Sequence, residues 1–238
     1  MGIYNKGFLF FLFLFFLSGT GLTFGQDSDS TAEVTIDSAR ALTFQYITSK
    51  PEEAFTFLYE AQLLAESEDE KEAVAEILAN MSIAKSYLGD WDESIEYRIR
   101  SISLYEELDM LLEAGDGFAE LGWGVRRRDM DRAEYFMQRG IQLLRAFPQS
   151  RELSDAYNNY GIVKLNQSQV DSAIYFVNQS LDIKVQNKDT LGIAYSYGYL
   201  GNAYQELEDY EQAIGYLQES FRLKGQMKDS SGMAIDLT

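Results

Sequence analysis

The chain has 238 residues, 46% hydrophobic and 24% charged, with 38 acidic against 20 basic side chains and a net charge of −18. That balance excludes a disordered polyelectrolyte and argues against binding nucleic-acid phosphate or anionic lipid, both of which need basic surface. Zero cysteine and zero histidine remove disulfide scaffolds, thiol nucleophiles, a lipid-attachment cysteine, the usual zinc sites, Ser-His-Asp chemistry and phosphohistidine.

In chain order, residues 1–25 have the pattern of a secretory signal peptide. Lys6 precedes an apolar run from Phe8 to Leu17, and small residues follow to Thr23 and Gly25, which places cleavage between Gly25 and Gln26. The alternative is an uncleaved anchor, since nothing charged stands between Gly7 and Gln26 and a span needs about 20 residues. The Gly, Ser and Thr content after Leu17 weighs toward cleavage. Losing Lys6 with the leader leaves 19 basic against 38 acidic residues, a net charge of −19. Residues 26–32 form a polar spacer.

From residue 33 onward the chain reads as paired amphipathic helices: repeats at about 33–67, 69–108, 110–147, 150–188 and 189–228, and a partial unit at 229–238. One pair of small residues marks each second helix: Ala54/Ala61, Ser94/Ser101, Ala133/Gly140, Ala173/Ser180 and Ala213/Ser220. The steps between them are 40, 39, 40 and 40 residues. In the first helices the matching small position is Thr43 (the weakest), Ser82, Gly122, Gly161 and Gly201. Small residues at these places let two helix backbones approach, and a period held over five units does not arise by chance. Pro51 falls in the first turn of a helix, where its missing N–H is harmless, and Pro148 falls between repeats 3 and 4. The run Glu66–Glu72 is expected to be a solvated corner; it lacks the alternating ligands and central glycine of a calcium loop. Between Gly122 and Ala133 the spacing is one residue short, which predicts a shortened turn in repeat 3.

Two stretches carry a family likeness: Leu200-Gly201-Asn202-Ala203-Tyr204 with Asp209-Tyr210, Ala213 and Ser220, and Gly89-Asp90-Trp91 with Ser94 and Ser101. They resemble the tetratricopeptide repeat, in a long-helix variant of about 40 residues, like those of bacterial exported or signalling-associated proteins. The resemblance covers roughly residues 33–238. It implies an all-α, right-handed superhelix of five helical hairpins plus a partial sixth, whose first helices line a concave groove that binds peptides. Carried onto this chain, the groove positions are Asp116, Ala119, Trp123, Arg126 and Arg127 in repeat 3. Repeat 4 supplies Asp155, Asn158, Ile162 and Leu165, and repeat 5 supplies Tyr195, Gly198, Asn202 and Gln205. The partner-binding set expected from these is Trp123, Arg126, Arg127, Asn158, Ile162, Tyr195, Asn202 and Gln205.

The triple arginine Arg126-Arg127-Arg128 beside Trp123 is the local anomaly in so acidic a chain. Guanidinium forks take carboxylates bidentately and an indole offers a stacking face. The competing reading is that these arginines neutralise Asp129 and Asp131 and complement the C-terminal end of their own helix. Asn158 and Asn202 are expected either to bond an extended ligand backbone or to be ordinary surface amides. The tyrosines, 16 in all, are expected mainly to pack between helices.

The expected function is a non-enzymatic protein- or peptide-binding scaffold, periplasmic or extracellular. The alternative is the extracytoplasmic input region of a longer membrane signalling protein, suggested by the incomplete sixth repeat. Acid pairs are capable of general acid–base work, but none is set apart from surface charge. No catalytic residue, cofactor or metal is expected. The partner is a protein or peptide and not a nucleic acid. A membrane is expected only through an uncleaved leader or a C-terminal membrane helix beyond this chain.

Overall fold

A computed structural model of the chain describes residues 46–227. The leader, the spacer, the first helix of repeat 1 and the partial sixth unit lie outside the described residues. Within them are nine α-helices and no strand: α1 Pro51–Ser67, α2 Lys71–Leu88, α3 Trp91–Glu107, α4 Leu111–Val125, α5 Met130–Leu144, α6 Arg151–Asn166, α7 Val170–Gln186, α8 Thr190–Glu206 and α9 Tyr210–Gln226. The most extensive packing is within α2/α3, α4/α5, α6/α7 and α8/α9, which are four complete hairpins; α1 packs on α2. Each first helix also leans on the second helix of the preceding hairpin, and α4 touches α6 as α6 touches α8. An all-α helical-repeat superhelix results. Among the described residues no helix is long and apolar enough to cross a membrane.

The small-residue period is the contact that closes each hairpin. Ser101, Ser180 and Ser220 are wholly buried. Ser101 Oγ donates to the Ala75 carbonyl and Ser220 Oγ to the Ala194 carbonyl, both at 2.7 Å; Ser180 Oγ pairs with Ser154 Oγ at 3.3 Å. A buried hydroxyl needs such a partner, so these serines fix register as well as spacing. In α4/α5 the equivalent residues are Gly115 and Gly140, with no side chain on either helix.

Six connections end their helix with a residue at positive φ: Asp69, Gly89, Asp109, Ser168, Lys188 and Glu208. The following N–H then reaches back five residues, as Asp90 N to the Lys85 carbonyl and Asp209 N to the Tyr204 carbonyl, both at 3.0 Å, which satisfies orphan carbonyls at the helix end. The two connections flanking α5 differ. After α5, Pro148 stands where the left-handed residue would fall; its ring holds φ near −65° and forbids that conformation, so a six-residue link, 145–150, takes over. Before α5 the expectation of a short turn is corrected. The missing residue comes out of the helix: α4 stops at Val125 and four residues, 126–129, make the link, against three at 167–169 and 207–209.

Asp129 ends that link as the N-cap of α5, accepting from Arg132 N at 3.0 Å. Asp129→Ala is expected to cost about 1 kcal/mol, read as a lower midpoint in urea unfolding with unchanged slope. The corner Glu66–Glu72 is exposed throughout, as expected. The tyrosines divide: Tyr105, Tyr157 and Tyr160 are buried, while Tyr59, Tyr87, Tyr135, Tyr175 and Tyr210 are exposed, so packing accounts for only part of them.

Candidate functional site

The early end of α4 places its arginines on two indoles. Arg126 lies 3.4 Å from the Trp123 ring centroid and donates from Nη1 to the Trp123 carbonyl. Arg128 reaches back one repeat and lies 4.1 Å from the Trp91 ring centroid, over the start of α3. Arg127 and Arg128 are exposed. Among the described residues no carboxylate comes within ion-pair distance of any of the three. The expectation that they neutralise Asp129 and Asp131 is therefore corrected, because Asp129 is committed to the α5 backbone. The helix-end part of that reading holds for Arg126, which serves an orphan carbonyl of α4. Burial, then Arg127, push the Arg126 pKa down, but a guanidinium starts so high that it stays charged.

These residues border a cavity of about 900 Å³ that also touches α2, α3 and Asn159 of α6. Arg98 of α3 lines it and is held by Glu120 of α4 at 2.9 Å. The outcome is a rim with two stacked, oriented guanidiniums, Arg126 and Arg128, and an unstacked one, Arg127, arranged to meet an anion.

A second cavity of about 560 Å³ lies against α6, α7 and α8 and is lined by Asn158 and Tyr195. The structure thus groups Trp123, Arg126 and Arg127 at one cavity, and Asn158 and Tyr195 at another. Ile162 is half-buried, Asn202 and Gln205 are exposed, and none of these three lines either cavity. The sequence reasoning missed Lys184, which is 5% exposed and donates to Asn158 Oδ1 at 3.2 Å and Ser196 Oγ at 3.1 Å. Its one signal was the 40-residue step to Lys224, also buried.

Asp116 of α4 is the carboxyl most changed by folding. Burial first, then Glu120 and Glu152, raise its pKa from 3.8 to about 7, with Arg98 opposing. Among the described residues no cluster of acids has the arrangement to hold a metal ion.

The family model for the tetratricopeptide repeat matches residues 152–226, which are α6 to α9. Residues 152–226 carry the tetratricopeptide-repeat pattern. Solved structures agree in fold. BtubC (BKLC) from P. vanneervenii superposes with a TM-score of 0.68 at 17% identity, covering 82% of this chain and 88% of that one. A putative kinesin light chain with TPR-like repeats from Podosopora anserina gives 0.65 at 13%, covering 82% and 97%. The STAND protein PH0952 with a tetratricopeptide repeat sensor from Pyrococcus horikoshii gives 0.71 at 14%, covering 84% of this chain and 30% of that chain. At these identities the likeness is one of fold alone. None of the curated proteins matches this repeat protein.

Proposed function

We propose that the protein is a non-enzymatic scaffold that captures a protein or peptide partner outside the cytoplasm, with the arginine–tryptophan rim of repeats 2 and 3 as a principal contact. The observation that carries it is the state of the three arginines: in a chain of net charge −18 they are left without a carboxylate in ion-pair reach among the described residues. Two of them are pre-oriented on indoles. Orientation lowers the entropy lost on binding, and fork geometry suits a partner carboxylate. The neighbouring cavity gives an adjoining side chain room to bury. Export rests on the pattern of residues 1–25. A second reading, the input region of a signalling protein, draws support from the likeness to a protein whose repeats are named a sensor.

Arg127→Glu with Arg128→Glu tests the rim, because neither side chain makes a hydrogen bond within the described fold. A partner recovered from an extracytoplasmic fraction by the full chain is expected to bind the double variant at least about tenfold more weakly, with the melting temperature nearly unchanged. Equal binding with an unchanged melting temperature would take the rim out of the contact, and equal binding with a sharp fall in melting temperature would show the arginines to be structural.

A further inference from the structure

The cavity between repeats 4 and 5 has a feature that the repeat architecture does not require. Lys184 Nζ lies in its wall, bonded only to the neutral acceptors Asn158 Oδ1 and Ser196 Oγ. Among the described residues no carboxylate stands within ion-pair distance of it. The nearest acids are otherwise engaged: Asp155 accepts from Arg151 Nε at 3.3 Å, and Asp189 caps α8 by accepting from Gly192 N at 2.9 Å. They act on the lysine through space while burial pushes its pKa down. A buried ammonium without a contacting counter-ion is a costly thing to hold in a wall.

The chain supplies its own comparison. One repeat earlier, the positions matching Lys184, Asn158 and Ser196 are Leu144, Ala119 and Ala156. They are buried at 0%, 5% and 2% exposure in the largest apolar cluster of the middle repeats. The same helix geometry is therefore filled by an entirely apolar trio, so the polar one is not needed to join two repeats.

We propose that this cavity binds a small zwitterion of the amino-acid type. Its carboxylate sits on Lys184 Nζ and the Asn158 side-chain amide, which has both N–H groups to give once its oxygen accepts from the lysine. Its ammonium lies toward Asp155 and Asp189, and its side chain between Tyr195 and Tyr199. The charge of the lining supports a zwitterion over a lone anion: Arg151 and Lys184 are balanced by Asp155 and Asp189. A cavity of about 560 Å³ falls in the range of small-ligand sites. This site is separate from the arginine rim and stands or falls independently of it.

The test uses the full chain and the proteinogenic amino acids singly, each beside its carboxamide and its N-acetyl form, read by thermal shift and calorimetry. At least one free amino acid is expected to raise the melting temperature, and its carboxamide and N-acetyl forms to bind at least about tenfold more weakly. The triple variant Lys184→Leu, Asn158→Ala, Ser196→Ala copies the neighbouring junction. It is expected to melt at or above the parent and to lose the ligand shift, and Lys184→Met alone should also lose it. No binding by any amino acid overturns the proposal, as does undiminished binding by the triple variant. Equal affinity for the N-acetyl form overturns the zwitterion. A lowered melting temperature in both variants, with no ligand shift in the parent, makes Lys184 a structural bridge between α6 and α8.

Discussion

Asp116→Asn is expected to raise stability above pH 7 and to leave it almost unchanged below pH 4. The folded-state pKa is raised from 3.8 to about 7, so folding favours the protonated acid. Below pH 4 the carboxyl is protonated in both states and costs nothing. Between pH 4 and 7 the unfolded chain releases its proton and the folded chain does not, so stability falls as pH rises. Above pH 7 both states are ionised and the penalty is constant, on the order of 2–4 kcal/mol once solvent at a partly exposed group is allowed for. Asparagine removes it and keeps the shape. Urea unfolding of parent and variant across this window measures the difference between the two curves, which cancels the general repulsion of so acidic a chain. A difference that does not change with pH would show that Asp116 ionises normally.

Gly140→Ala is expected to destabilise by about 3 kcal/mol, at the upper end for overpacking, which lowers the melting temperature by roughly 6–12 °C in a chain of this size. The new Cβ would stand 2.6 Å from the Gly115 carbonyl oxygen and 2.8 Å from Ala119 N. Both are backbone atoms of α4, so relief requires the two helices to part. The control is Gly215→Ala on α9, whose Cβ meets nothing within 4 Å. Alanine is the better helix former there, and the variant is expected to gain about 0.5–1 kcal/mol. Equal effects at the two positions would mean that the α4/α5 contact tolerates a wider spacing.

The hairpins were legible in the residues because small side chains every 40 positions state where two backbones meet. Ala133/Gly140, Ala173/Ser180 and Ala213/Ser220 occupy those contacts in the structure. The candidate sites were only partly legible. Trp123, Arg126 and Arg127 were found together because they are neighbours in the chain, but Trp91, which receives Arg128, lies 37 residues away and nothing local announces it. Ile162, Asn202 and Gln205 were carried by the family likeness, and the structure does not join them to either cavity.

The sequence by itself determined the helical class, the period, the hairpin contacts and the absence of thiol and imidazole chemistry, because each depends on residue type at fixed local spacing. Tertiary structure alone decided that α4 ends early with its arginines on two indoles. It also decided that Asp116 is largely buried and feels the charge of Glu152 from the next repeat, and that Lys184 is enclosed by Asn158 and Ser196. A lysine in the last turn of a helix looks from sequence like a solvated charge. Whether it is solvated depends on side chains 26 residues before and 12 residues after it, and packing, not periodicity, brings those to the same place.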